Sequence, residues 1–183
     1  MSSSAPAEHH KSLAPPAASV RVALVTASDS RTPDTNEGGR VLRRLIEEAG
    51  FAVTSDTLLA EEPAALRDAV AQAARENDVI IVTGGTGIGP RDLTPDAVGP
   101  LFDRRLPGFG ELFRLLSFQD IGPSAMLSRA EAGVVGSALV LLLPGSPAAV
   151  ELAVRRLIAP ELTHAVGQLH RERKHHHNGH HER

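Results

Sequence analysis

The segment 83–92 reads Thr-Gly-Gly-Thr-Gly-Ile-Gly-Pro-Arg-Asp and contains the residues best suited to chemistry. Glycines permit a tight turn in which backbone N–H groups point toward a bound anion. The segment follows the apolar run 79–82 and leads into 94–96, where a threonine cap followed by proline predicts a helix start. The positive end of that helix would face the loop, and Arg91 and Asp92 add a cation and a carboxylate. We therefore predict a site for a phosphorylated ligand with a divalent metal.

Two common nucleotide motifs do not fit this loop. A Walker A loop places lysine and then Ser or Thr after its last glycine, whereas Pro90 follows Gly89 here. A dinucleotide fingerprint needs a framing first strand and a later acidic residue for the ribose, and neither frames this loop. A plain strand-to-helix turn that binds nothing is the alternative interpretation.

The loop needs a scaffold, and the hydrophobic pattern indicates one. Apolar runs and helical spacings alternate along the chain, which predicts an α/β domain with a mostly parallel sheet and right-handed crossovers. The predicted strands are 20–26, 51–59, 79–82 and 138–143, the last preceded by a bend or hairpin over 134–137. The predicted helices are 38–49, 63–77, 94–102, one around 112–116, a short one capped by Ser124 and ending near Gly133, one to about 159, and one from Pro160 to about His170.

Three polar loops follow predicted strands, at 28–31, 84–92 and 144–147. Loops that follow parallel strands share one edge of the sheet, and ligands bind at that edge. The three loops should therefore converge on one crevice.

Composition limits the function classes. The 183 residues carry no cysteine, Trp or Tyr and a formal charge of −3, and the part between residues 19 and 171 carries −5. Disulfides and thiolate metal sites are excluded, and nucleic-acid binding through a basic or base-stacking face is not expected. No apolar run approaches the ~20 residues of a membrane span, and no signal region is visible, which favours the cytoplasm.

The sequence predicts one domain, 20–170, between two tails. Residues 1–19 are rich in Ser, Ala and Pro and are predicted to be disordered. Residues 171–183 are rich in histidine. A solvated tail is the favoured interpretation, and a weak nickel, zinc or copper site in a metal-handling protein is the alternative.

Five blocks of the chain carry further motifs. They are 28–31 with 38–39, 83–97, 107–111, 127–133 and 143–147. Their residues and order resemble the molybdenum-cofactor biosynthesis domain family, in particular the bacterial MoaB/Mog branch of molybdopterin adenylyltransferases. The similarity covers about residues 20–168.

The resemblance implies a three-layer α/β/α fold that assembles as a homotrimer, or as a homohexamer of two trimers. It implies transfer of AMP from ATP to the terminal phosphate of molybdopterin, with release of pyrophosphate and with Mg²⁺ as the cofactor. Molybdopterin and ATP would be the substrates, and a molybdate-insertion enzyme would be a further contact. No nucleic acid or membrane partner is implied.

The expected roles fall on the three loops and residues beside them, and on Glu61, which follows the second predicted strand. Asp92 and Glu61 are the expected catalytic residues, and Asp92 and Asp29 are the expected metal ligands, because carboxylate oxygens suit Mg²⁺. The expected substrate-binding residues are Ser28, Asp29, Ser30, Thr83, Gly84, Gly85, Thr86, Gly87, Arg91, Thr94, Pro144, Gly145, Ser146 and Pro147.

Several of these residues allow a purely structural interpretation. Asp92 could cap the next helix or pair with Arg91, and Asp29 could be a turn residue. Ser146 could be a helix N-cap and still bind a ligand. For Arg129, an ion pair at the surface or in a subunit interface is favoured over ligand contact.

Glu61 departs from the family pattern, in which an aspartate often follows the second strand. Glutamate keeps the charge but extends the carboxylate by one methylene, and a misplacement on the order of 1 Å can cost ~100-fold in rate. A solvated acid at a helix start is the other interpretation of Glu61. Besides the enzyme, a non-catalytic molybdopterin-binding carrier or scaffold of the same fold therefore remains open.

Overall fold

The computed structural model describes residues 14–175, with side chains up to residue 170. Its strands are β1 Arg21–Ala27, β2 Ala52–Leu59, β3 Val79–Thr83, β4 Arg104–Arg105, β5 Glu131–Val135 and β6 Ala138–Leu143. Its helices are α1 Glu37–Glu48, α2 Pro63–Glu76, α3 Thr94–Val98, α4 Pro107–Ile121, α5 Pro147–Ala153 and α6 Ala159–His175. A π-helical turn, Val154–Ile158, joins α5 to α6, and 3₁₀ turns cover Ala17–Ser19, Gly99–Leu101 and Gly122–Leu127.

The strands form one sheet in the order β2-β1-β3-β6-β5-β4. The first four strands of that order are parallel, and β5 and β4 are joined by antiparallel pairing. The register pairs Thr83 of β3 with Thr26 of β1 and with Leu143 of β6. The loops after these three strands therefore leave the same edge, and the predicted mostly parallel sheet is confirmed.

The sheet separates two apolar layers, because successive side chains of a strand face opposite sides. Val22 and Leu24 of β1 pack into the layer that contains α1, α4, α5 and α6. Ala23 and Val25 pack into the layer that contains α2 and α3. The three-layer α/β/α fold that the resemblance implies is confirmed.

The region around residues 122–135 differs from the prediction of a short helix that ends near Gly133. A 3₁₀ turn ends at Leu127 and strand β5 follows, and Ser124 caps no helix there. Ala132 and Val134 are buried, and β5 pairs with β6 across a turn in which Gly136 has a φ of 60°. Pairing with a buried strand outweighs the weak local preference of an Ala- and Gly-rich segment.

One predicted helix cap is confirmed and one is wrong. The Oγ of Ser146 accepts a hydrogen bond from the backbone N–H of Ala149 at 3.3 Å, so Ser146 caps α5. Thr94 is instead the first residue of α3, Leu93 occupies the N-cap position, and no side-chain cap bond forms there.

The predicted tails fall mostly outside the described residues, namely 1–13 and 176–183. Within the described part, Ala17–Ser19 form a 3₁₀ turn and α6 continues to His175. None of the described helices combines the length and the apolar character that crossing a bilayer requires.

Candidate functional site

A cleft of about 270 Å³ lies at the carboxyl edge of the parallel strands. It is lined by Asp29 and Ser30 after β1, by Glu61 after β2, and by residues 89–92 after β3. Loops distant in sequence thus meet at the edge where ligands bind in open α/β sheets.

Two larger cavities lie elsewhere. One of about 430 Å³ lies between β4 and α6, and one of about 340 Å³ lies beside the start of α4. Volume alone does not mark a site. We favour the smaller cleft because it collects three carboxylates beside the glycine loop.

The turn after β3 depends on two glycines. Gly84 and Gly85 have φ values of 97° and 59°, in the left-handed region that favours glycine. A Cβ on Gly84 would lie only 2.1 Å from the carbonyl oxygen of Ala27. The absence of side chains therefore lets the end of β3 approach the end of β1.

The loop at 144–147 packs directly against this turn. A Cβ on Gly38, at the start of α1, would lie 2.3 Å from the carbonyl oxygen of Gly145. A Cβ on Gly145 would in turn lie 3.2 Å from the Cα of Gly84. The structure therefore brings the 144–147 loop to the glycine turn, although the cleft itself is lined by the other three loops. Binding by Pro144, Gly145, Ser146 and Pro147 stays a prediction.

Asp92 faces back across its own loop. Its Oδ2 accepts a hydrogen bond from the backbone N–H of Gly89 at 2.8 Å. A Cβ on Gly87 would lie 2.7 Å from the same oxygen, so only glycine leaves room for the carboxylate there. This bond gives Asp92 a structural role, and its side chain still lines the cleft.

Asp29 joins two loops at the cleft. Its Oδ1 accepts a hydrogen bond from the backbone N–H of Glu61 at 2.9 Å. Its Oδ2 lies 3.7 Å from a guanidinium nitrogen of Arg91, whose side chain is 81% exposed. Such an exposed pair contributes little stability, so Arg91 is available to a ligand.

Glu61 and Thr94 each place a buried oxygen beneath Gly85. The Oε2 of Glu61 and the Oγ1 of Thr94 are buried and have no hydrogen-bond partner among residues 14–170. A Cβ on Gly85 would lie 2.9 Å from the first oxygen and 2.6 Å from the second. Such unpartnered polar atoms are costly, which is a common feature of sites that gain a partner on binding.

The electrostatics of the cleft favour a cation. Burial raises the pKa of the Glu61 carboxyl, and the nearby Asp29 and Asp92 carboxylates raise it further, while Arg91 lowers it. Like charges held close together disfavour ionisation, and a bound cation would relieve this repulsion.

The predicted threonines lie below the cleft. Thr83 is fully buried and Thr86 is 3% exposed, and the Thr83 hydroxyl donates to the Thr26 hydroxyl at 3.4 Å. Asn36, which the sequence analysis does not single out, donates from its amide to Thr26 at 2.9 Å and accepts from Gly39. The bonds among Thr26, Thr83 and Asn36 connect the ends of β1 and β3 to the start of α1, whereas Ser28 and Ser30 are more exposed.

Arg129 is tied to the glycine loop. Its Nε donates to the carbonyl oxygen of Gly87 at 2.7 Å, and a terminal nitrogen lies 2.8 Å from Asp96. The predicted ion pair therefore exists, but it forms within one chain and accompanies backbone contacts. The Leu-Ser-Arg-Ala motif is the only signal in the sequence that points to this arginine.

Across the described residues, no group of three or more His, Asp or Glu side chains is arranged to hold a metal ion. Mg²⁺ is commonly held by one or two carboxylates together with substrate phosphates and water. The pair of Asp29 and Asp92 fits that mode of binding.

Comparison with known proteins gives consistent results. The chain is 45% identical over 166 residues to "Molybdenum cofactor biosynthesis protein B" of Bacillus cereus, covering 89% of this chain and 97% of the relative. It is 41% identical over 169 residues to the protein of the same name from Bacillus subtilis, covering 91% and 98%.

Solved structures resemble the fold as well. A crystal structure of molybdenum cofactor biosynthesis protein B superposes with a TM-score of 0.81 at 44% identity, covering 86% of this chain and 99% of that chain. The crystal structure of the tungsten cofactor synthesizing protein MoaB from Pyrococcus furiosus superposes with a TM-score of 0.74 at 28% identity, covering 82% of this chain and 96% of that chain. The family model described as "Probable molybdopterin binding domain" matches residues 23–164. With its three-layer fold and its loop-lined cleft, the chain therefore belongs to the molybdopterin-binding domain family of molybdenum cofactor biosynthesis.

Proposed function

We propose that the protein transfers AMP from ATP to molybdopterin in a Mg²⁺-dependent reaction that releases pyrophosphate. The observation that carries this proposal is the meeting of Asp29, Glu61 and Asp92 in one cleft, with the Glu61 carboxylate lying directly against Gly85 of the glycine turn. The resemblance of the sequence to molybdopterin adenylyltransferases supplies the choice of substrates.

The reaction needs positioning rather than covalent work by side chains. An oxygen of the terminal phosphate of molybdopterin forms a bond to the α-phosphorus of ATP, and the bond from that phosphorus to the bridging β-oxygen breaks. Pyrophosphate leaves with the electron pair. Backbone N–H groups of residues 85–87 would hold the phosphoryl oxygens, and Arg91 would offset the phosphate charge. The backbone N–H of Gly84 already donates to the carbonyl oxygen of Leu143 at 2.9 Å.

The residues present fit Mg²⁺. Asp92 and Asp29 would hold the ion, and the buried, unpartnered Oε2 of Glu61 is a further oxygen that a cation or its water could satisfy. Bound Mg²⁺ would neutralise phosphate charge and polarise the α-phosphoryl group.

A homo-oligomer is proposed from the apolar surface of α4. Large apolar side chains there and in the following 3₁₀ turn are exposed, with Phe118 at 56%, Ile121 at 61% and Met126 at 76%. The exposed apolar residues of α4 recur every third position at 112, 115, 118 and 121, and exposed apolar side chains that share a helix face in this way are typical of a protein interface. A second copy of the chain is the proposed occupant, as in the trimer or hexamer that the resemblance implies.

The decisive experiment incubates the full chain with molybdopterin, ATP and MgCl₂, and measures pyrophosphate and adenylylated molybdopterin together. We expect both products in equal amounts, and neither when the metal is chelated. Tight molybdopterin binding without pyrophosphate would favour the carrier. Absence of both binding and turnover would refute both functions.

A further inference from the structure

We propose that Arg129 is a positioning residue that holds the glycine loop in its binding shape. As a statement about catalysis, this inference rests on the proposed function. As a statement about the loop, it can be tested without any substrate.

Arg129 makes four contacts with the chain segment around the loop. Its backbone N–H donates to the carbonyl oxygen of Thr86 at 2.8 Å, and its Nε donates to that of Gly87 at 2.7 Å. One terminal nitrogen donates to the carbonyl oxygen of Asp92, and the other lies 2.8 Å from the Asp96 carboxylate. A single guanidinium thus connects the glycine turn to the start of α3.

The ion pair alone does not explain this arrangement. Asp96 is 60% exposed and Arg129 is 35% exposed, and such pairs contribute little in water. The bonds to Gly87 and Asp92 are charge-assisted and lie at two ends of one segment. Only the planar fork of arginine makes both bonds at once, because a lysine ammonium is a single point charge.

The segment 87–92, which Arg129 contacts near both ends, is mostly exposed. Gly87 and Gly89 flank Ile88, whose side chain is 69% exposed. Within the stretch, Gly89 and Asp92 exchange two hydrogen bonds, from the Gly89 N–H to the Asp92 carboxylate and from the Asp92 N–H to the Gly89 carbonyl oxygen, and the Thr94 N–H donates to the carbonyl oxygen of Gly85. The bonds of Arg129 to Gly87 and Asp92 add the connection to β5 and its preceding segment. Because Arg129 holds the backbone carbonyl of Asp92, it also fixes the backbone from which the Asp92 side chain extends. Arg129 therefore sets the position of a proposed metal ligand without touching substrate.

A second arginine supplies a matched control. Arg114 of α4 donates to the carbonyl oxygens of Ser128 and Ala130 at 3.3 and 3.0 Å. These are the residues on either side of Arg129. Arg114 thus braces the same segment with the same chemistry, but its described bonds do not reach the glycine loop.

The test compares wild type, Arg129→Lys and Arg114→Lys by amide hydrogen exchange on the substrate-free full chain. In Arg129→Lys we expect amides of residues 84–92 to exchange about tenfold faster, with β1, β3 and β6 unchanged. In the same variant we expect KM for Mg·ATP to rise about tenfold, with a smaller change in kcat. Arg114→Lys should change both measurements by clearly less than Arg129→Lys, because its bonds hold the neighbours of Arg129 but do not reach the loop.

Equal exchange of residues 84–92 in wild type and Arg129→Lys would overturn the inference, and so would equal effects of the two lysine variants. If wild type shows no transfer, the proposed function fails, while the exchange comparison still decides the role of Arg129. If Arg129→Lys does not fold, Arg129→Gln replaces it, because a glutamine amide can still donate to one of the two carbonyls.

Discussion

The backbone N–H of Glu61 donates to the Asp29 carboxylate at 2.9 Å, which joins the loops after β1 and β2 at the mouth of the cleft. These loops are separated by about thirty residues of sequence, yet their acids share one space with Asp92. The position of each acid therefore depends on the other loops.

Asp92→Asn should lower turnover by about two to three orders of magnitude with little loss of stability. The amide oxygen can still accept the bond from Gly89, so the turn is kept while the charge is lost. Pyrophosphate release and a thermal melt on the same preparation measure both effects. Asp68→Asn, which neutralises an exposed acid of α2, is the control and should stay near wild type. Turnover of Asp92→Asn at the wild-type rate would remove Asp92 from its proposed role.

Gly85→Ala should destabilise the protein by about 1–3 kcal/mol. The new Cβ must adopt a φ of 59° and would lie 2.6 Å from Thr94 and 2.9 Å from Glu61. Gly136→Ala is a matched control, because Gly136 has a φ of 60° with no atom within 4 Å of the added carbon. Both variants carry the backbone strain, but only Gly85→Ala carries the steric collision. The difference between their free energies of unfolding in denaturant therefore measures the collision. Equal losses would mean that the space under Gly85 is unimportant.

Glu61→Gln should change how stability depends on pH. The unfolded chain ionises Glu61 near the ordinary value of 4.5, whereas burial and the neighbouring acids raise the pKa in the folded chain. Between these two values the folded state binds more protons, so this residue makes the free energy of unfolding fall as pH rises. The difference in free energy of unfolding between Glu61→Gln and wild type should therefore be absent below the pKa of Glu61 in the unfolded chain. Above that pKa it should grow in favour of Glu61→Gln, and it should level off above the pKa in the folded chain.

Urea midpoints of both proteins from about pH 4 to about pH 8, without Mg²⁺, measure that difference. A difference that stays constant over this range would contradict the prediction. Adding Mg²⁺ should reduce the difference, because a bound cation favours the ionised carboxyl of the wild type.

Leu115→Glu should yield a smaller species in sedimentation velocity without loss of fold. Leu115 is 57% exposed on α4, so a charge there is solvated in the monomer but costly inside an interface. Arg67→Glu, on an exposed position of α2, is the control and should keep the wild-type size. An unchanged size for Leu115→Glu would exclude this surface as the contact between copies.

The parts of the fold that carry a strong pattern were predictable. The apolar runs 79–82 and 138–143 indicate buried strands, and parallel topology then requires their polar loops to share one edge. Strand β5 was predictable only in part: the expected bend or hairpin over 134–137 is confirmed by the pairing of β5 with β6, whereas the segment 131–133 has no strong local preference and takes its conformation from that pairing.

For the site, side-chain chemistry was predictable and backbone recognition was not. The acids at positions 29, 61 and 92 are visible as residue types that follow strands. The bonds of Arg129 end on carbonyl oxygens, which every residue carries, so no pattern in the sequence marks them. The sequence predicted Thr94 as the N-cap, whereas Thr94 is the first helical residue and Leu93 is the N-cap. The pattern did not distinguish the two because proline is tolerated at either of the first two helical positions.

Gly145 lies between Gly38 and Gly84 and packs closely against both. A Cβ on Gly38 would lie 2.3 Å from the carbonyl oxygen of Gly145, and a Cβ on Gly145 would lie 3.2 Å from the Cα of Gly84. A side chain added at any of these three glycines would therefore displace several loops together rather than one. Changes of ligand preference are more readily introduced at the solvent-facing rim, where Ile88 and Arg91 can vary without disturbing the scaffold.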